Sequence, residues 1–310
     1  MKVVASTTWN TSSPNSLGKL HAVGCDTNET PYAAIGHNLY EFKDDEFILV
    51  RPLSVEEDGD GEFEVFSINF DKDHQLYVSS NWNGLQVFKS AKVQDENDLV
   101  FHETNWQGPA NLSHPSGQLV GVNYKEEEGG VMNFINRNKE TNELTFKPWP
   151  AWGSGDMGNW LMEGRDPAYS IRRAWYPDRM MIYITDSVTT TIPEDGIRSL
   201  HMFFAPDGRN IDYLSHTFLS LPWDNPMGCS IEIPHDGISS ELLLFSPKGV
   251  YTERKKCLLN FEDLDDCQES FTKVFSATNI EGSGNQRSTY VIGMISEEKF
   301  VFKILKVERK

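Results

Sequence analysis

Four cysteines in 310 residues are too few for a disulfide scaffold. Cys257 and Cys267 flank an acidic segment and would pair only in a secreted protein; two free thiols are the expected state. Long apolar runs are missing too. None approaches the about 18 residues of a membrane span, so no membrane partner is expected. The opening residues Met1 to Trp9 turn polar too early for a signal peptide. The expected location is therefore cytoplasmic, or secreted if a leader has been removed. Basic residues are scarce: 28 Lys and Arg face 46 Asp and Glu, a net charge of −18. Such a surface cannot neutralise a phosphate backbone, which excludes nucleic acid as a partner. The acid gathers in runs such as Glu56-Glu57-Asp58-Gly59-Asp60 and Glu126-Glu127-Glu128, read as solvated loop tips.

Metal and nucleophile motifs are also lacking. The eight histidines are scattered, and neither HExxH nor paired-cysteine spacing occurs. No GxSxG elbow is present. Neither metal nor cofactor is expected; calcium on the partial oxygen set Asn69, Asn111 and Glu232 is the one option left open. No stretch shows the 3.6-residue apolar period of a long helix, so helices should be few.

What the chain does have is strand formers, with 12% aromatics, and a phrase that returns six times. A small or hydroxylic residue stands in an apolar stretch, a turn follows, and then comes a run of strand formers. Ser6, Ser67, Ser113, Ser170, Ser230 and Ser276 mark the copies, 46 to 61 residues apart. Known propeller repeats run to roughly 40–50 residues. Third and fourth strands follow in the first four units, for example Gly84 to Phe88 and Asp98 to Phe101, with turn signals such as Asn83-Gly84 and Asp207-Gly208 between or just after them. The expected fold is all-β: a β-propeller of six blades, each of mostly four antiparallel strands, with five blades the alternative. The whole chain, 1–310, is read as one domain. The sixth unit lacks an obvious fourth strand, and Met1-Lys2-Val3-Val4 is expected to supply it, sealing the exposed edges.

In each unit the serine phrase is the candidate innermost strand. Side chains two apart share a face, so one channel-facing set is Thr8, Asn69, Arg172, Glu232 and Thr278, with the third unit divided between Ser113 and Asn111. The serines themselves form the alternative set. A charge near a propeller axis is costly unless paired or used, which singles out Arg172 and Glu232. Tryptophans 9, 82, 106, 152, 160, 175 and 223 lie mostly in or beside loops rich in Gly, Asn and Pro, where large rings either meet ligands or pack between blades. Trp152 and Trp160 sit in a long connection that could cover the channel mouth.

Three fragments, Glu163-Gly164-Arg165-Asp166-Pro167, Gly36-His37-Asn38-Leu39-Tyr40 and Glu241 to Gly249, resemble segments of five-bladed fructosidases and their arabinanase relatives. That resemblance implies a glycosidase with paired carboxyl groups, Glu163 or Glu232 as acid and Asp166 orienting the sugar. Where the nucleophile would fall, the chain has Ser12-Ser13-Pro14-Asn15 and no carboxylate.

In its polar, carboxylate-poor lining the chain also resembles six-bladed propellers that act as cyclases and hetero-Diels–Alderases. This implies catalysis by folding and polarising a small-molecule substrate. Arg172 or Arg173 would polarise an oxygen, Glu232 would hold or move a proton, and Trp152, Trp160 and Trp175 would stack on the substrate. Thr8, Trp9, Asn69, Asn111, Asp166 and Thr278 complete the binding set. A sugar-binding lectin is the third class, but it would require the same polar constellation in every repeat.

Overall fold

The structure is a computed structural model. It describes residues 2–11, 18–44, 46–54, 62–71, 73–93, 97–108, 110–112, 119–125, 129–138, 140–141, 143–148, 170–175, 180–186, 196–204, 211–220, 229–233, 241–246, 249–252, 257–260, 273–278, 287–295 and 300–308. Its side chains are described within 18–110 and at Asn138, Glu140, Thr141, Glu143, Thr145 and Asn260.

Among the described residues the strands form six antiparallel sheets of four. After β1 (Lys2–Thr11), the first sheet runs β2 (Leu20–Cys25), β3 (Pro31–Ile35), β4 (Asn38–Lys43) and β5 (Glu46–Pro52). The second is β6 (Val65–Phe70), β7 (Leu76–Ser80), β8 (Gly84–Phe88) and β9 (Leu99–Glu103). The third is β10 (Ala110–Leu112), β11 (Leu119–Lys125), β12 (Gly129–Arg137) and β13 (Leu144–Pro148). The fourth is β14 (Ser170–Trp175), β15 (Met180–Asp186), β16 (Gly196–Phe204) and β17 (Ile211–Ser220). The fifth is β18 (Cys229–Ile233), β19 (Glu241–Ser246), β20 (Gly249–Thr252) and β21 (Cys257–Asn260). The last sheet, β22 (Lys273–Thr278), β23 (Arg287–Ile295) and β24 (Phe300–Glu308), takes β1 as its outermost strand.

The first strand of each sheet packs beside the first strand of the next, from β2 through β6, β10, β14, β18 and β22 and back to β2. A closed ring of sheets around an axis is a β-propeller.

Two expectations for the first unit need correction. Residues 5–8 do not form an inner strand. They continue β1, which pairs with β24 from Lys2↔Glu308 to Thr11↔Phe300 at the outer edge of the last sheet. The inner strand of the first sheet is β2, so β3 and β4 are its second and third strands. The physical reason is pairing over nearly the whole chain length, which a local phrase cannot reveal. The closing role expected for Met1 to Val4 therefore belongs to the longer strand Lys2–Thr11.

With β2 as first strand, an internal repeat comes into view. Leu20–Cys25 and Val65–Phe70 stand 45 residues apart, as do Pro31–Ile35 and Leu76–Ser80. The turns between them match. Asp26 Oδ1 accepts from the backbone N–H of Asn28 and Thr30 at 2.9 and 2.7 Å, and Asp71 Oδ1 from Asp73 and Gln75 at 2.9 Å each. Glu29 and His74, at equivalent places, both adopt positive φ, 64° and 61°. Each aspartate so supplies an acceptor that lets a tight turn form. Tyr77 donates to Asp71 Oδ2 at 3.1 Å, and Tyr32 is its counterpart in the first sheet.

In the first two sheets burial is lowest at the outer strands. β2, β3, β7 and β8 are buried at every position, because neighbouring sheets cover both of their faces. The outer strands β5 and β9 expose Ile48, Leu49 and Leu99. Ala22, Ala34 and Leu39 of the first sheet meet Val65, Ile68, Phe70 and Leu76 of the second in one apolar cluster. Approach is close near the axis: a Cβ on Gly24 would lie 3.0 Å from the Ile68 side chain. Trp106, 0% exposed, packs with Tyr77, Leu85 and Val87 and donates Nε1–H to Gly108 O at 2.8 Å. It is a core residue.

Candidate functional site: the ring of first strands and its rim

Antiparallel succession sorts the loops onto two faces. Turns between second and third strands, and the connections from one sheet to the next, share one face; the other connections share the opposite one. Each first strand starts at the first face and runs down the axis.

Of the residues expected at the channel, Asn69 lies on β6, Asn111 on β10, Arg172, Arg173 and Trp175 on β14, Glu232 on β18 and Thr278 on β22. These are first strands of consecutive sheets, so the fold brings five sectors of one ring together. Thr8 and Trp9 are on the outermost strand β1 and do not join them. By the 45-residue offset, the position of Asn69 is held in the first sheet by Gly24. Trp152, Trp160 and Asp166 lie outside the described residues, as do Glu163, Cys267 and both acidic runs.

Asn69 has a defined structural role. Its half-buried amide donates to Ala110 O at 2.9 Å, tying β6 to β10. Ser67, two residues earlier and buried, reaches the same residue. Ser67 and Asn69 thus hold β6 against β10.

The rim of the first two sheets carries a cluster that sequence reasoning missed. His37, in the turn before β4, and Trp82, in the turn before β8, occupy equivalent places 45 residues apart. Phe63, buried at the entry to β6, stacks on the His37 ring at 5.1 Å and 14°, and meets Trp82 at 5.4 Å. Trp82 also approaches His37 at 5.8 Å, and His21, at the head of β2, meets Phe63 edge-on at 6.1 Å. His37 Nδ1 stands 2.5 Å from Ser54 Oγ. The backbone brings the two together, since Leu53 N–H donates to His37 O at 2.7 Å.

Asparagines brace this rim. Asn83 Nδ2 donates to Leu53 O at 2.9 Å; Asn81 Nδ2 donates to Glu62 O at 2.7 Å and its Oδ1 accepts from Glu64 N–H at 2.8 Å. Asn83-Gly84 is a turn, as its sequence suggests: Gly84 has φ 63°, and a Cβ there would sit 2.1 Å from Glu103 O. The signal for this cluster was the matching Asp26…Tyr32 and Asp71…Tyr77 spacing, which aligns His37 with Trp82.

Further out, Arg51 of β5 and Asp98, just before β9, form an ion pair at 2.7 Å with side chains only 7% and 4% exposed. Arg51 also donates to Ser90 O at 3.1 Å and lies 3.6 Å above the Phe88 ring. Burial pushes the guanidinium below its usual range, and the Asp98 charge and hydrogen bond oppose that shift.

No family model and no curated protein matches this chain. Many solved structures are similar to it, among them the following three. Trypanosoma rangeli sialidase is 9% identical over 99% of this chain and 58% of its own, with a TM-score of 0.49. The WD40 domain of Toxoplasma gondii coronin is 9% identical over 100% and 88%, TM-score 0.47. The subtype N10 neuraminidase-like protein of A/little yellow-shouldered bat/Guatemala/060/2010 is 9% identical over 100% of both chains, TM-score 0.45. Similarity of this order concerns general architecture and carries nothing about activity.

Proposed function

We propose that this propeller binds one small organic molecule at the mouth of its ring and transforms it without a cofactor, in the manner of a cyclase. The observation that supports the reading is unequal polarity on equivalent strands. Scaffold positions repeat, whereas the first strands carry Asn69, Asn111, Arg172, Glu232 and Thr278 on β6, β10, β14, β18 and β22, and Gly24 on β2. A ring of identical lectin sites would repeat its polar group; a single off-centre ligand needs no such repetition.

In this proposal Arg172 or Arg173 polarises a carbonyl oxygen, and Glu232 holds or moves a proton. Trp175, Trp152 and Trp160 supply ring surfaces, and Asp166 binds a polar group of the substrate. Asn69 contributes by fixing β6 against β10. Binding in one conformer and preorganised charge lower the barrier of a ring closure.

The test is a thermal-shift screen of the chain against quinones, polyphenols and oligosaccharides, followed by calorimetry of the hits. A ligand binding once per chain, with affinity reduced about tenfold or more in both Arg172→Ala and Glu232→Gln, supports the reading. Equal affinity in both variants removes the site assignment. Several equivalent sugar sites per chain would favour the lectin class instead.

A further inference from the structure

We propose that Ser54 and His37 form a nucleophile–base pair on the rim, able to cleave small esters that carry a flat aryl or apolar group. This activity is separate from the central site and does not rest on it. Four features carry the inference. The first is contact: Ser54 Oγ and His37 Nδ1 are 2.5 Å apart, the reach a base needs to take a hydroxyl proton. The second is orientation, since Phe63 stacks on the imidazole and Trp82 flanks it. The base is thereby held by packing, where a triad uses a carboxylate.

The third feature is access. His37, Ser54 and Trp82 are all of intermediate exposure, so each residue of the group is partly open to solvent. The fourth is the free valence of the ring. In the tautomer that the proposal requires, Nδ1 accepts from Ser54 and the neutral imidazole carries its proton on Nε2, a donor that no described residue takes. The half-buried Trp82 ring, 5.8 Å from the His37 ring, defines the substrate class, because it offers apolar surface beside the pair.

The chemistry closes without another reagent than water. Ser54 Oγ attacks the acyl carbon while its proton passes to His37 Nδ1. The ester C–O bond breaks, and the same proton leaves with the departing alkoxide or phenoxide. Water, deprotonated by His37 Nδ1, then cleaves the acyl-serine; the acid departs and the proton returns to Ser54.

The experiment treats the full chain with a biotinylated alkyl fluorophosphonate and maps the adduct by peptide mass spectrometry. Turnover of 4-nitrophenyl acetate is followed in parallel. The expected result is a single adduct on Ser54, lost in Ser54→Ala together with turnover, and formed about 100-fold more slowly in His37→Gln. Circular dichroism establishes that each variant is folded, and the adduct map of the unmodified sequence stands without any variant. No adduct, an adduct on another residue only, or an unchanged rate in folded His37→Gln overturns the proposal.

Discussion

The hydroxyl of Ser67 holds both backbone groups of Ala110 on the neighbouring sheet: it accepts from Ala110 N–H at 3.1 Å and donates to Ala110 O at 2.7 Å. A hydroxyl has one proton. The third contact, 2.6 Å to Ser79 Oγ, therefore has Ser79 as donor. One buried side chain so joins β6, β7 and β10.

Ser67→Ala should lower unfolding free energy by about 2–3 kcal/mol, because the buried N–H of Ala110 loses its acceptor and Ser79 its own. Asn69→Ala should cost less, about 1 kcal/mol, since Ala110 O keeps Ser67. Urea unfolding of both variants measures the order. Equal losses would mean that the two contacts are not shared at Ala110 O.

Arg51 and Asp98 should be costly to break singly and cheap to replace together. Arg51→Met or Asp98→Leu leaves one buried charge and is expected to lose about 3–5 kcal/mol. The double variant should recover most of that loss, because apolar side chains suit the site between β5 and Phe88. A denaturant-based double-mutant cycle tests the coupling.

Tyr32 makes stability depend on alkaline pH. Burial raises its phenol well above the ordinary tyrosine value, and the negative charges of Asp26, Glu41 and Cys25 add to the shift. A folded-state pKa above the unfolded one means that the contribution is complete below about pH 10 and is lost as pH rises beyond it. The loss should approach about 1.4 kcal/mol per pH unit, and Tyr32→Phe should flatten it. Urea midpoints between pH 8 and 11 give the comparison. Parallel curves for the two proteins would exclude Tyr32 as the source.

Gly84→Ala should destabilise by about 2 kcal/mol or more, because an L-residue at φ 63° with a Cβ against Glu103 O forces the backbone to move. Thermal unfolding measures it. A loss within about 0.5 kcal/mol would show that the turn relaxes freely.

Much of this architecture is legible in the sequence because first strands are short, apolar and begin after long connections. Ser170, Ser230 and Ser276 mark β14, β18 and β22 for that reason, as Ser67 marks β6. Ser6 misleads. Its neighbours have the same local character, yet only the partner strand 300 residues on decides that they form an edge. Asn38, Glu41 and Lys43 dilute the apolar residues of β4, whose Leu39, Tyr40 and Phe42 are buried. The placement of Asn69, Arg172 and Glu232 on first strands follows from the pattern. The meeting of His37 with Ser54 does not, since it depends on how the exit from β5 folds back over the preceding hairpin.

The pairing of β1 with β24 also sets a schedule. A chain made from its N-terminus onward presents residues 2–11 before, and their partner 300–308 after, all the other described strands. Every other sheet can be completed from contiguous sequence as it emerges. The ring must wait with one unpaired strand for the whole interval, so sealing is the slow, long-range step of assembly. An early stop before residue 300 would leave β1 as an open edge, recruiting strands from other chains.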